Sequence, residues 1–309
     1  MPPPVRPDAE TRLSVVVVAY NNAAALTATL PPLVAQLGPR DELVVVDNDS
    51  SDGTLALVRE KFPDARVVEQ ENVGLAGGWN AGMRAASDPR YYLFLNADAW
   101  LAGGALERRI AFADAHPRAA VVGPRLRYPD GRLQRSVRGF PTLWRLATEY
   151  LFLRKLAPGT RLLNAYYGGG FAHDEVRDVE WLMGAVLLVR REAVDEVGPA
   201  DDAFFLFAEE TDWCKRFRDA GWSVVFVPDA EATHVLGATH GGRLYRENVR
   251  GHLRWLAKHR GPVYAERARR LLAWALALRG ALFRGERGRT YADTSRWLRS
   301  GSVPALLEQ

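Results

Sequence analysis

Two β-branched runs constrain this chain more than any other feature: Ser14–Val18 within LSVVVVAYNN (13–22), and Leu43–Val46 within DELVVVDNDSSDGT (41–54). Neither alternates polar with apolar residues, so both sides of each strand must be covered, as in a parallel sheet with helices on both faces. Each run closes on polar turn formers. The stretch between them, AAALTATLPPLVAQL, has helical composition, and Pro31 and Pro32 are expected to kink or split that helix. TLALVREKF (54–62) predicts a second helix capped by Ser51 or Asp52. ARVVEQ (65–70) predicts a short strand, AGGWNAGMRAA (76–86) a third helix opening on a glycine pair, and YYLFLNAD (91–98) a fourth strand. The order βαβαβαβ predicts a doubly wound α/β sheet.

Beyond residue 100 the rhythm changes. AVVGPRLRYPDGRLQRS (120–136) predicts a strand and hairpin turning at Pro-Asp-Gly, and TLWRLATEYLFLRKL (142–156) an amphipathic helix. YYGGGFAHDE (166–175) reads as a mobile loop. VEWLMGAVLLVRREAVDEVG (179–198) reads as a strand running into a short helix, AEETDWCKRFRDAGW (208–222) as a helix ending at Gly221, and SVVFVPDAEATH (223–234) as a closing strand.

Composition bounds the class. The chain has 309 residues, 48% of them apolar, enough for one large domain with an appendage. A lone Cys214 excludes a disulfide framework and a cysteine-rich zinc site, which points to a reducing, cytoplasmic setting. The start, MPPPVRPDAET, lacks the apolar core of a signal peptide, and LLAWALAL (271–278) falls well short of the roughly 20 residues that cross a bilayer. The formal charge of +4 is uneven: residues 237–309 hold 15 Lys/Arg against 5 Asp/Glu, a net +10. Three readings fit that tail: a solvated face packed on the rest, peripheral contact with an anionic membrane at the inner face of the cell membrane, or nucleic acid. No binding motif accompanies the charge, so nucleic acid is not expected. Trp255, Trp274 and Trp297 suit an interface. The expected organisation is a flexible segment 1–11, a catalytic domain 12–240 and a basic helical region 241–309, with the oligomeric state left open.

In open parallel sheets, ligands bind at the carboxyl ends of strands. Polar clusters stand at four such ends: Tyr20 to Asn22, Asp47 to Asp52, Asn72 to Asn80, and Asn96 to Asp98. A carboxylate closing a buried strand is costly unless it meets a cation or donors, so Asp98 is a candidate metal ligand facing a crevice. Each cluster also has a plain structural alternative. Asp98 could cap a turn, DNDSSDGT could be a turn and helix start, and GLAGGWNAG could pack a helix closely on a sheet.

Taken together, SVVVVAYNN, LVVVDNDSSDGT, ENVGLAGGWNAG, LFLNADAW, FFLFAEETDWCKRFRDAGW and VPDAEATH resemble glycosyltransferase family 2, most closely its rhamnosyltransferase-type branch. The resemblance covers residues 12 to about 240, roughly three quarters of the chain. It implies an α/β GT-A fold, a Rossmann-like mixed sheet with a C-terminal helical extension here. It further implies an inverting transfer from a nucleotide-diphosphate sugar, with dTDP-rhamnose the leading donor, to a glycan or polyprenyl-linked glycan acceptor in cell-surface polysaccharide synthesis.

The residue roles follow from that resemblance. Asp98 matches the last acid of the Asp-x-Asp metal motif, Asn96 stands where many members have the first acid, and Ala97 lies between. His234 matches a histidine that supplies a further ligand, for Mn²⁺ or Mg²⁺. Glu210 matches the general base of the family's acidic motif, usually Asp, with Glu209 the competing assignment. Asp212 caps or orients the helix. Tyr20 and Asn48 match the base-binding positions, flanked by Ala19 and Asn22. Asp47, Asp49, Asn72, Gly74 and Asn80 match the ribose and phosphate side. Trp181, Met183 and Gly184 match the segment between donor and acceptor sugars, with core packing a rival reading for Met183.

Two other classes lack their marks. A sugar nucleotidyltransferase wants a Gly-rich, cationic phosphate loop after the first strand, and VAYNNAAALTATL has neither; a dinucleotide enzyme wants G-x-G-x-x-G there. A non-catalytic sugar-nucleotide binder has no need of Asp98, Glu210 and His234 together.

Overall fold

The computed structural model describes residues 11–235 and 242–308; the expected flexible segment 1–11 lies almost wholly outside them. The elements begin β1 (Leu13–Ala19), α1 (Ala23–Val34), β2 (Asp41–Asn48), α2 (Thr54–Lys61), β3 (Arg66–Gln70), α3 (Gly74–Ala85) and β4 (Tyr91–Asn96). They continue with β5 (Ala99–Leu101), α4 (Ala105–Ala115), β6 (Ala119–Arg127), β7 (Leu133–Gln134), β8 (Val137–Arg138) and α5 (Leu143–Tyr150). Then come β9 (Arg177–Asp178), β10 (Trp181–Leu182), β11 (Val186–Arg190), α6 (Arg191–Val197), α7 (Glu209–Asp219) and β12 (Ser223–His234). Helices α8 (Gly242–Arg260), α9 (Pro262–Leu282), α10 (Gly285–Arg299) and α11 (Val303–Leu307) complete the chain.

The main sheet has the order β3-β2-β1-β4-β11-β6-β12-β5. Strands β1 to β4 are mutually parallel, whereas β11 runs antiparallel to both β4 and β6. The expected α/β mixed sheet with C-terminal helices is thus present. In β1 the two faces of the β-branched run are used separately. Leu13, Val15 and Val17 join the core under α1 and α4, with Leu26, Leu30, Leu106 and Ile110. Val16 and Val18 point the other way, to α3, where Gly78 and Gly82 meet them. A Cβ added at either glycine would collide with a valine methyl, so these two glycines set how closely α3 lies on the sheet. On the same face Phe94 of β4 packs against Trp79 of α3 and Trp213 of α7, with ring centroids 5.0 and 5.4 Å away.

Several local expectations need correction. Helix α1 runs unbroken through Pro31 and Pro32. The carbonyls that lose donors belong to Thr27 and Ala28, both exposed, where solvent can stand in for the missing amides. Helix α2 is capped by Gly53 in the left-handed region (φ 87°), not by Ser51 or Asp52. Asp52 instead accepts from the Thr54 amide at 3.0 Å. Helix α5 stops at Tyr150 because Phe152 is left-handed (φ 61°). The triple glycine is closely packed rather than loose: a Cβ at Gly169 would strike the Thr160 carbonyl.

The described residues fall into two compact units. One takes the chain up to Val137, His173–Phe205, and Glu209 to the end of β12; the other takes Arg138–Ala172, Leu206–Ala208 and the C-terminal helices. Within the second, Arg279 of α9 caps α5 from a distance, its Nε donating to the Tyr150 carbonyl at 2.6 Å and its guanidinium lying 4.0 Å over Phe152. Trp255 stacks on Phe140 at 5.5 Å and is fully buried, and Trp297 is buried beneath Arg250; only Trp274 of the three tryptophans singled out above is exposed.

Overpacking the α3 contact tests its importance. Gly82→Val should lower unfolding free energy by about 1–3 kcal/mol in urea titration. Gly103→Ala, where an added methyl meets open space, should stay within about 0.5 kcal/mol of the parent.

Candidate active site

The site begins with how two strand ends meet. After β4 the chain turns through Ala97 and Asp98 and enters β5, which pairs antiparallel with the end of β12 so that Ala99 lies opposite His234. Two hydrogen bonds fix the turn: Thr29 of α1 donates to the Ala97 carbonyl at 2.8 Å, and the Val235 amide to the Asp98 carbonyl at 3.1 Å. Asp98 and His234 therefore face each other, Oδ1 to Nε2, at 3.3 Å. His234 is buried and Asp98 half-buried.

Gln134, which sequence reasoning passed over, orients the imidazole. Its Oε1 lies 2.8 Å from His234 Nδ1 and its Nε2 is 3.5 Å from the His234 carbonyl. An amide oxygen on Nδ1 places the proton there and leaves the Nε2 lone pair toward Asp98. The available signal was the Tyr-Pro-Asp-Gly-Arg turn, which sets the β6–β7 register and puts a glutamine opposite Leu126 inside a buried ladder.

These residues fit a divalent cation. A nitrogen lone pair facing a carboxylate oxygen is a suitable donor set. Neighbouring ligands on an octahedral ion with bonds of ~2.1 Å stand about 3 Å apart, close to the spacing seen. No third His, Cys, Asp or Glu joins them in a cluster among the described residues, which leaves coordination positions for phosphate or water oxygens.

The nucleotide-side candidates lie at the ends of β1, β2 and β3. Loops β1–α1 and β2–α2 are stitched together: the Asn21 amide donates to Ser50 Oγ at 2.9 Å, the Ser51 amide to Asn21 Oδ1 at 2.8 Å, and the Asn22 amide to Thr54 Oγ1 at 2.9 Å. Asn21 and Asp49 both take left-handed backbone (φ 55° and 65°). Ala19 is buried, and Tyr20 presents a half-open ring, 52% exposed. Asn22 holds the Tyr20 amide at 2.9 Å. Asp47 is buried; Oδ2 accepts from Ser50, while Oδ1 has no partner among the described residues. Asp49 is exposed.

Other candidates are engaged within the protein. The Asn48 amide donates to the Gly74 carbonyl at 3.0 Å and accepts from Gln70 at 2.7 Å. Asn72 accepts from the Gly74 amide at 3.1 Å. Gly74 is left-handed (φ 83°) and touches the Phe205 carbonyl, leaving no room for a side chain. Asn80 grips the Ala200 backbone with both ends of its amide, at 2.8 and 3.1 Å. Asp212 is fully buried and pairs with Arg216 at 2.8 Å, whose remaining donors hold the Val197 and Pro199 carbonyls.

The acidic pair starts α7, after two residues in left-handed backbone, Phe207 and Ala208 (φ 69° and 70°). Strain of this kind gathers at functional sites. Glu210 is half-buried and accepts from the Gly184 amide at 3.3 Å; a Cβ at Gly184 would crowd Trp79 at 3.3 Å and touch Glu210 at ordinary contact distance. Gly184 precedes Ala185, whose carbonyl accepts from the Asn96 amide at 2.9 Å, so the acid adjoins the end of β4. Trp181 is buried, and Met183 packs on the core. Glu209 is 98% buried, and its Oε2 has no partner among the described residues. Burial first, and the neighbouring Glu210 second, push its carboxyl well above the usual range. Cys214 on the same helix is buried, with its thiol pushed up to about 12.

Comparison with known proteins gives the chain's family and fold. The family model described as Glycosyl transferase family 2 matches residues 14–172. The chain is 30% identical over 233 residues to the N-acetylglucosaminyl-diphospho-decaprenol L-rhamnosyltransferase of Mycobacterium tuberculosis, covering 72% of this chain and 75% of the relative. It is 25% identical to the glycosyltransferase AglE of Haloferax volcanii, over 77% of this chain and 71% of that protein. Among solved structures, the mannosyltransferase PcManGT of Pyrobaculum calidifontis, in complex with GDP-Man and Mn²⁺, superposes with a TM-score of 0.55 at 20% identity. The match covers 98% of this chain and 81% of the other. That likeness establishes the GT-A fold.

Glu209 makes stability depend on pH. Its raised folded-state value means the native state keeps a proton that the unfolded chain releases above the ordinary 4.5, so stability is lost as pH rises through that window. Glu209→Gln should raise Tm at neutral pH, with the gain vanishing as pH falls below 4.5. Gln134→Leu should weaken Mn²⁺-dependent nucleotide binding by about 10–100-fold in calorimetry.

Proposed function

Because the chain belongs to glycosyltransferase family 2, we propose that it is an inverting L-rhamnosyltransferase, with dTDP-rhamnose the leading donor and a saccharide on polyprenyl diphosphate the acceptor. Transferase activity follows from the family; the choice of sugar and acceptor is supported by the mycobacterial relative. Such an acceptor would put the reaction at the cytoplasmic face of a membrane, in the synthesis of cell-surface polysaccharide. The observation that carries the reading is Asp98 facing His234 at the end of a buried strand.

Asp98 and His234 would hold Mn²⁺ or Mg²⁺, which when bound neutralises charge on the departing nucleoside diphosphate. Gln134 fixes the imidazole so that Nε2, not Nδ1, is offered. Tyr20 offers an aromatic face to the base, and the unpartnered Oδ1 of Asp47 an acceptor for a ribose hydroxyl or base N–H. Asp49, Asn72 and the backbone near Gly74 would complete the nucleoside side.

Glu210 takes the proton from the acceptor hydroxyl as that oxygen attacks the anomeric carbon opposite the diphosphate. The new glycosidic bond forms as the bond to the phosphate oxygen breaks, and configuration inverts. Two adjoining acids cannot both serve this step. Glu209 is shut away from solvent, so Glu210, half-buried beside Gly184, is the one a substrate can reach.

Purified protein with Mn²⁺ and a panel of UDP-, GDP- and dTDP-sugars should release nucleotide from dTDP-rhamnose above all. Glu210→Gln should cut transfer about 10²–10⁴-fold with donor affinity nearly unchanged, while Glu209→Gln stays active. Asp98→Ala should abolish the Mn²⁺ enhancement of dTDP binding. Full transfer by Glu210→Gln, or metal enhancement surviving in Asp98→Ala, would sink the assignment.

A further inference from the structure

Helix α9 is apolar on two sides. One side, with Ala268, Leu272, Ala275 and Leu276, is buried within the helical unit. The other is open: Val263, Trp274, Leu278 and Leu282 are 68%, 58%, 41% and 64% exposed. At 3.6 residues per turn, these four and the exposed Arg267 and Arg270 fall within about 120° of one another around the helix. A helix apolar on both sides is normally covered on both, and a tryptophan–leucine stripe standing in water marks a binding face.

Charge identifies the cover. Arg267 has no acidic partner among the described residues, nor do Arg284 and Arg289 just beyond the helix; Arg270 meets Glu266 at 3.3 Å through Nε alone, and its side chain is 75% exposed. At its N-terminal end the face opens into a cleft of about 390 Å³ whose lining includes Val263, Arg267 and Arg270, with Glu266 the one acid among them. A second copy of the chain would set these arginines against their own kind, inside a region of net +10. An anionic bilayer satisfies both parts: its acyl boundary takes the tryptophan and leucines, and its phosphates take the guanidinium groups.

We infer that the outer face of α9 is a docking surface for an anionic lipid bilayer, on which the helix lies in the plane of the interface. Trp274, Leu278 and Leu282 enter the headgroup boundary, and Arg267 and Arg270 sit on lipid phosphate. Trp255 and Trp297 take no part, being buried. This surface is independent of which sugar is moved, and of whether the acceptor is lipid-linked.

The test is co-sedimentation of the full chain with vesicles of phosphatidylcholine alone, or of phosphatidylcholine with phosphatidylglycerol. Binding should occur only to the latter and fall as salt rises. A Trp274→Ser, Leu278→Ser, Leu282→Ser variant and an Arg267→Gln, Arg270→Gln variant should each weaken partitioning by roughly tenfold, with unchanged thermal melts and unchanged donor hydrolysis. Absence of binding to either vesicle, or equal binding by parent and variants, would overturn the inference. So would a dimer in light scattering, or retention on RNA, that the apolar variant abolishes.

Discussion

Three residue pairs between β5 and β12 hold the site together. Ala99, Trp100 and Leu101 lie opposite His234, Thr233 and Ala232, so residues 131 to 135 positions apart arrive as neighbours. Strand β12 can do this because its two edges serve different partners. Its first half runs parallel to β6, a shift in register follows Val227, and its last residues pair with β6 on one side and β5 on the other. At that shift Glu231 is gripped by Arg125 and Arg127 at 3.1 and 2.7 Å, which hold its carboxyl below the usual range. The ion pairs anchor an irregular stretch whose ladder bonds are interrupted.

The parallel half of the fold was legible because two-sided burial leaves a plain mark: a strand without alternation has no solvent face, and Ser14–Val18 divides between two helical layers. The glycines of α3 were legible only as alternatives, since close packing and ligand approach ask for the same residue. What stayed hidden was non-local. The turn before Gln134 sets its register on β6 but does not say that an imidazole 100 positions away will meet it there. The polar residues of AYNN, DND and ENVG read as ligand contacts, yet Asn48 and Asn80 spend both ends of their amides on the protein. The tail misled in a similar way. Tryptophan count says nothing of direction, and helical register alone separates the exposed Trp274 from the buried Trp255 and Trp297.

Buried arginines show how this fold uses charge away from the site. Arg190 donates to the Ala119 carbonyl at 3.1 Å and to carbonyls at the end of α4, with its guanidinium 5.1 Å from the Tyr91 ring. Arg279 treats α5 likewise. Each brings a cation to the negative end of a helix dipole and satisfies carbonyls that no following turn can reach. Arg109 differs: its Nε meets only the Ala105 carbonyl, its terminal nitrogens have no partner among the described residues, and burial brings it down to about 9.

The chain has a single thiol, and that one is sealed inside α7. A thiol held protonated at neutral pH and shut away from solvent is slow toward maleimides and oxidants alike. The folded protein should therefore react slowly with sulfhydryl reagents without a single residue being replaced. One cysteine introduced on any exposed helix would become its only reactive handle, and a fluorophore or spin label placed there would report from one known point.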